Sequence, residues 1–444
     1  MAARLREEGY EVTILAPVDH GDEVQKEGFN FRLLPDLRKK LKANLKSYRP
    51  SGNRWKRWWM RWTHRRQFRQ QGLDTIYPSV FEQLIDQEQP DLLIIDIELH
   101  ERIIWAYNQS IPVLLLSQWY SLWHRNGLPP LSTTIVPGIG FSGSSLGIWW
   151  SWQKLKISRW WKFKRQELRS MGTSHRSLLQ RFAKVNHFPR KYIRQNLWPG
   201  PVTYSQLPVL AMVPLEMEFI HQPRPNLHYL GPMVFSYRQE PDLKDQKGRT
   251  IDNLEEVALA KDLKIIVATG TTMHHSEERF LKQLVDAVAS RDDWLLITGP
   301  VHPEGLKKLG GIPDNVAVFS FLPQLSALSI ADLSVNHGGV HTIHECIHFK
   351  VPMLVYSGGR ADQNGCAARV QFHEIGIMGG RALATSKSIA NKIEILLTEI
   401  VYKTNIEKMS ELIFEYQKNR KLEKIVLGVL ERDLKVLDQM EVNL

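Results

Sequence analysis

The chain has 444 residues, 43% of them hydrophobic and 24% charged, an ordinary globular composition with room for two sizeable cores. Its two cysteines, Cys346 and Cys366, suggest no disulfide framework and fit a reducing cytoplasm. We expect no secretory signal, and no apolar run is long enough to span a bilayer, so the net charge of +11 needs a local explanation.

Taken in chain order, Met1–Pro17 reads as the second half of an amphipathic helix, a cap at Gly9 and a strand over Glu11–Ala16. Residues 37–73 follow with 13 Lys/Arg and no Asp/Glu. Without them, 45 of the 58 basic residues face 47 acidic ones, so the positive charge resides in this stretch. A helix over Ser79–Gln87 leads to a buried-strand run, Leu92–Asp96, that ends in a carboxylate. An Asp after a strand often caps the next helix, here His100–Asn108. A strand at Val113–Leu116 precedes a Gly-, Pro- and Ser-rich loop over 120–147. Within it, Gly138, Gly140 and Gly143 match GxGxxG, but no convincing strand precedes them and no acidic partner follows, so a flexible loop is expected. Residues 148–195 read as basic helix, Leu207–Met212 as a strand and Pro223–Pro232 as a linker.

Nine of the 14 tryptophans fall in two basic stretches. Trp55, Trp58, Trp59 and Trp62 interleave with Arg54, Lys56, Arg57, Arg61, Arg65 and Arg66. Trp149, Trp150, Trp152, Trp160 and Trp161 interleave with Lys154, Lys156, Arg159, Lys162, Lys164 and Arg165. Tryptophan with cations on a helix suits a bilayer interface, where rings sit at headgroup level and cations meet anionic lipid. The same composition suits stacking on nucleic acid. It also suits a helix with Trp in the core and Arg in solvent.

The second half alternates strands and helices: strand Lys264–Ala268, helix Ser276–Ala289, strands Trp294–Thr298 and Val316–Phe319, a helix near Leu325–Ile330, strand Leu333–Val335. A parallel sheet covered on both faces follows from that alternation. His337-Gly338-Gly339 then makes a tight turn into a helix over Thr342–Phe349, followed by strand Met353–Tyr356 and helix Asn364–Ile375. A helix start presents unpaired N–H groups and partial positive charge, which suits a diphosphate. His337, His341 and Thr342 can donate to phosphate oxygens, and Glu345, one turn on, can accept from ribose hydroxyls. Asp362 and Gln363 follow the next strand, at the end where parallel sheets bind ligands. His344-Glu345-Cys346-Ile347-His348 also matches HExxH, which places two His on one helix face for zinc with Glu as base. No third ligand is indicated, and helix packing or surface exposure accounts for both histidines.

The run 337–363 resembles the donor-binding signature of the UDP-sugar glycosyltransferases, a family that glycosylates small molecules and lipids. Phe321-Leu322-Pro323-Gln324 is similar to that family's Trp-x-Pro-Gln, and Gly270-Thr271 to the turn that opens its C-terminal domain. The resemblance extends over 228–370, with Phe321 in place of Trp, Lys350 where Gly is usual and Cys366 where Asn often stands. It implies an α/β fold of two Rossmann-like doubly wound domains facing across a cleft, the GT-B fold. It divides the chain into an acceptor domain (1–225), a nucleotide-sugar domain (226–385) and C-terminal helices (386–444) that pack back on the first domain. It implies an inverting transfer from a UDP-sugar to an acceptor hydroxyl, with no metal or other cofactor. Phe321 would stack on the base, Gln324 bond base or ribose, and Asp362 and Gln363 bond sugar hydroxyls. Asp96 matches the acid that orients a catalytic His in that family. The strand and Gly-His turn that carry this His are not in Met1–Pro17, so we expect either that the true start lies upstream or that the product binds donor without turnover. With a donor site of this kind, the tryptophan clusters at 38–69 and 149–169 fit contact with an anionic membrane at the cytoplasmic face, not nucleic acid. They would then receive a lipophilic acceptor.

Overall fold

The computed structural model describes residues 1–47, 53, 55, 59, 62–120, 124–125, 127–195, 202–204, 206–222, 224–234, 240–241, 243–270, 278–299, 309–360 and 362–441. Trp58, Thr271, Arg54, Lys56, Arg57 and Arg61 therefore lie outside the described residues.

In the first half, β1 (Thr13–Ala16) and β2 (Asn30–Leu33) form a parallel pair of their own. A second parallel sheet has the order β3 (Leu93–Asp96), β4 (Val113–Ser117), β7 (Val209–Ala211), β8 (Leu227–Tyr229). Between β4 and β7 the chain adds the antiparallel pair β5 (Ile193–Gln195) and β6 (Val202–Tyr204). The segment Pro223–Pro232 is thus not a free linker. Leu227 and Tyr229 are buried, and the strand they anchor pairs with β7. The sheet of the first half therefore continues through Tyr229, beyond the boundary expected at 225.

The second half is one six-stranded parallel sheet of β9 (Lys264–Thr269), β10 (Trp294–Gly299), β11 (Val316–Val318), β12 (Leu333–Asn336), β13 (Met353–Val355) and β14 (Gly376–Met378). Its spatial order is β11-β10-β9-β12-β13-β14. Runs such as Ile265–Ala268 and Trp294–Ile297 are buried throughout because helices cover both faces. Strand order reverses between β9 and β12, which pair as Asn336 with Thr269. A crevice opens at such a reversal because the two flanking connections leave in opposite directions.

The stretch 127–147 is more ordered than its composition suggests. Gly140–Gly143 forms one helical turn, and a Cβ on Gly143 would lie 2.2 Å from the Val136 carbonyl oxygen. A Cβ on Gly147 would lie 2.1 Å from that of Phe141. These glycines permit close backbone approach in a fixed turn, with no strand before it. The helix Ser145–Ser170 then runs 26 residues, its start capped by Ser144 accepting from the Gly147 N–H.

The last two helices return to the first half. On Ile400–Lys418, Tyr416 donates to Glu216 at 2.7 Å and accepts from the Leu215 N–H. On Lys421–Glu441, Glu423 accepts two bonds from Arg4, and Leu422 and Val426 pack with Leu5, Leu114 and Leu210.

Candidate functional site

The crevice between β9 and β12 is shaped by its backbone. The buried Asn336 side chain accepts from the Gly338 N–H at 2.9 Å and sets the turn after β12. Gly338 has φ +83°, and a Cβ there would meet the Gln363 carbonyl oxygen at 2.9 Å. The helix Val340–His348 begins two residues earlier than its apolar pattern indicates, with Gly339 as N-cap and no side chain capping it. Its first N–H groups consequently have no helical acceptor. The His337 imidazole fills the space between two glycines. A Cβ on Gly270 would lie 2.0 Å from its Nδ1, and one on Gly339 2.8 Å from its Nε2. The end of β9, the turn after β12 and the helix start thus converge on one ring.

Gln324, Thr342 and Glu345 lie together on one side. The Gln324 amide donates to the Glu345 carboxylate and lies 3.4 Å from the Thr342 hydroxyl. Thr342 and Glu345 are buried, whereas the Phe321 ring, just before this group, is 55% exposed. A large apolar ring left open beside a polar cluster is available to stack on a ligand. The helix Gln324–Ser329 starts against Glu240, whose carboxylate accepts from the Leu325 and Ser326 N–H groups. Sequence reasoning missed Glu240, which stands 84 or more residues away along the chain.

Asp362 lies on the other side. Burial pushes its carboxyl above the usual range, while bonding from the Cys366 thiol at 3.3 Å and the nearby His337 and His341 oppose that rise. Burial also lowers the His341 imidazole, with Asp362 opposing. Gln363 has a job within the protein: its Oε1 accepts from the Gly358 and Arg360 N–H groups and shapes the loop after β13.

The first half reaches this region through residues not singled out from sequence. Gln118 and Tyr120, just past β4, bond His341 at 2.7 Å and His344 at 2.8 Å. Asn364 donates to the Ser132 carbonyl at 2.9 Å. Polar residues directly after a buried strand were the available signal. Asp96, at the end of β3, accepts from the Glu98 N–H at 2.8 Å and so braces a turn; Leu99, not Asp96, occupies the N-cap of the helix His100–Ala106. Burial raises the Asp96 carboxyl, against the bond from Glu98 and the charge of Arg38. His100 is no candidate base for an acceptor. It is fully buried against the Tyr204 hydroxyl, and burial lowers its imidazole to about 3.

The HExxH match dissolves on the same grounds. The His344 Nε2 is engaged by Tyr120, and burial lowers this ring to about 3 as well. Glu345 is held by Gln324. Among the described residues, no three His, Cys, Asp or Glu side chains are grouped to hold a metal ion.

Residues 282–416 match the family profile described as erythromycin biosynthesis protein CIII-like, C-terminal domain. An uncharacterized UDP-glucosyltransferase of Bacillus subtilis (strain 168) is 27% identical over 152 residues, 34% of this chain and 38% of that protein. The zeaxanthin glucosyltransferase of Pantoea ananas is 25% identical over 209 residues, 46% of this chain and 45% of that protein. The chain thus matches less than half the length of these curated relatives. The solved structure of the kitacinnamycin glycosyltransferase superposes with a TM-score of 0.63 at 17% identity, covering 96% of this chain and 93% of that one. That likeness extends the shared two-domain fold over the whole chain.

Proposed function

We propose that this chain is a UDP-glycosyltransferase of GT-B fold that moves a sugar from a UDP-sugar to a hydroxyl of a small lipophilic acceptor, with inversion, a reading supported by the family profile, the relatives and the fold. One observation carries the reading: His337, the uncapped helix start, Thr342, Gln324, Glu345 and Asp362 gather at the strand-order reversal between β9 and β12. In this reading the helix start, His337 and Thr342 offset charge on the leaving diphosphate, so no metal is required. Glu345 accepts from ribose hydroxyls, held in place by Gln324. Phe321 stacks on the base, and Asp362 and Gln363 bond the sugar. Asp96, half-buried with a raised carboxyl, belongs to the acceptor side.

The domain division that accompanies it puts the acceptor domain at 1 to about 229 and the donor domain from there through the helix Ser386–Thr398. Ile389, Ile393 and Leu396 of that helix pack in the core of the second sheet rather than back on the first half as expected; the helices that pack back begin at Ile400. The relatives' names support glycosyl transfer, and the zeaxanthin enzyme's name supports a lipophilic acceptor. Peripheral contact with an anionic membrane at the cytoplasmic face is supported by seven exposed tryptophans at 55, 59, 62, 149, 150, 160 and 161. The test is UDP release from UDP-glucose with a lipid-extract acceptor pool, run on this chain and on an N-terminally extended version. Turnover in either supports the transferase reading. UDP binding without turnover in both would favour a donor-binding protein instead.

A further inference from the structure

We propose that the basic cavity between the helices Leu37–Ser47, Arg65–Ile76 and Ser145–Ser170 receives the anionic head of an amphiphilic acceptor. The acceptor role rests on the transferase reading above. The anion site rests on the cavity alone.

The cavity, open to solvent on one side, has a volume of about 860 Å³, within the range of small-molecule sites. Lys162, Arg165 and Arg169 line it from one helix, and Arg65 from another. Spacings of three and four residues put the first three on one helical face, where like charges repel. Among the described residues, none of these three has an acidic partner in an ion pair. Carboxylates on the adjoining elements are committed. Glu101 holds His175 at 2.5 Å, and Glu167 accepts from Ser174 at 3.2 Å and from Ser177. The excess of cations extends behind the wall, where burial and the charges of Arg181 and Arg65 lower the neighbouring Arg69 guanidinium. Three cations without an ion-pair partner among the described residues, with Arg65 beside them over the Trp62 ring, call for an anion, and guanidinium forks suit phosphate or carboxylate oxygens.

The remaining wall is mixed: Leu41, Phe68, Trp161 and Met171 form an apolar part beside polar groups such as Gln166 and Thr173. A free inorganic ion would leave the apolar part uncovered, whereas an anionic head on a hydrocarbon body would meet the cations and cover that part as well. Position ties the cavity to the acceptor side. Leu41 lines it, and Arg38, one turn earlier on that helix, donates to the Glu98 carbonyl at 2.6 Å beside Asp96. One turn is about 5 Å of rise. A head held here would leave its body within reach of the loop that carries Asp96.

The experiment titrates the full chain with n-dodecyl phosphate below its critical micelle concentration, with dodecanol and with inorganic phosphate, by calorimetry. We expect dodecyl phosphate to bind roughly tenfold tighter than either other probe, the gain expected of charge-assisted bonds. Lys162→Gln/Arg165→Gln/Arg169→Gln should lose that tenfold with UDP affinity unchanged, and the charge-conserving Arg165→Lys/Arg169→Lys should keep most of it. Equal binding by dodecanol, or by the triple-Gln variant, would overturn the site. Inorganic phosphate binding as tightly as dodecyl phosphate would overturn the amphiphile. Vesicles of phosphatidylcholine with phosphatidic acid separate a bilayer surface from a single bound molecule. If the triple variant lost vesicle binding but kept dodecyl phosphate, the cavity assignment would fall. Failure of dodecyl phosphate to bind while UDP-glucose turnover persists removes this inference only. Absent turnover with dodecyl phosphate bound leaves the anion site and removes its acceptor role.

Discussion

Gly270 and His337 share one volume, and that fixes what each can be. Alanine at 270 would combine φ +64° with a Cβ 2.0 Å from the imidazole. Gly270→Ala should therefore displace His337 and cost about 1–3 kcal/mol of stability, as overpacking does. It should also weaken UDP, measured by calorimetry beside urea unfolding. Full UDP affinity in this variant would mean that His337 does not need its present position. Glu345→Ala should weaken UDP by about 1.5–3 kcal/mol through lost charged hydrogen bonds. An unchanged constant would sink the ribose assignment. Proton linkage gives a third expectation. His344 and His100 are held neutral by burial, each lowered to about 3. Above the ordinary histidine pKa of about 6.5 both states are neutral and neither ring contributes. Below it the unfolded chain takes up protons that the folded one refuses, so stability falls as pH drops from about 6.5 toward 3, by up to about 1.4 kcal/mol per pH unit for each ring. Urea midpoints at pH 7 and pH 5 should show the loss, and His344→Gln should lessen it. Most residues of the candidate site were named from type and spacing, because the proposed diphosphate site calls for Gly turns and donors at a helix start. Glu240, Gln118 and Tyr120 were not, because long-range contacts leave no local periodicity.

At the scale of the element, the helix Ser145–Ser170 shows how composition leaves a face undecided. Trp152 is buried and donates to the Leu128 carbonyl at 2.6 Å, so one tryptophan anchors the helix. Trp149, Trp150, Trp160 and Trp161 are each about half exposed, so they do not form its core. Exposed rings beside cations favour an anionic interface over a solvated helix. Replacing these four by Ala should reduce co-sedimentation with anionic vesicles while leaving UDP affinity intact. Undiminished co-sedimentation would retire the membrane role of this helix. Only packing separates anchor from exposed rings, since all five are the same residue in the same basic run.

The two halves are joined across the whole molecule by a buried pair. Arg369, from the helix after β13, donates to Glu218 in the first half through Nε at 3.2 Å and Nη2 at 2.5 Å. Both side chains are essentially inaccessible, and the guanidinium also stacks over Tyr120 and Phe219. Glu218→Ala would strand a buried cation and should cost about 3–5 kcal/mol, read from the urea midpoint. A change below 1 kcal/mol, roughly that of a surface pair, would mean that water reaches the guanidinium. The sequence by itself determined the parallel sheet of the second half, the donor-like turn and the place of the charge. Those depend on periodicity, Gly turns and composition, which are local. Tertiary structure alone decided that Leu227–Tyr229 completes the first sheet, that β1 and β2 stand apart from it, and that Arg4 meets Glu423. It also decided which tryptophans face outward and where four cations surround a cavity. Each of these depends on residues far apart in sequence meeting in space, and the order of residues encodes such meetings only through the packing of the whole chain.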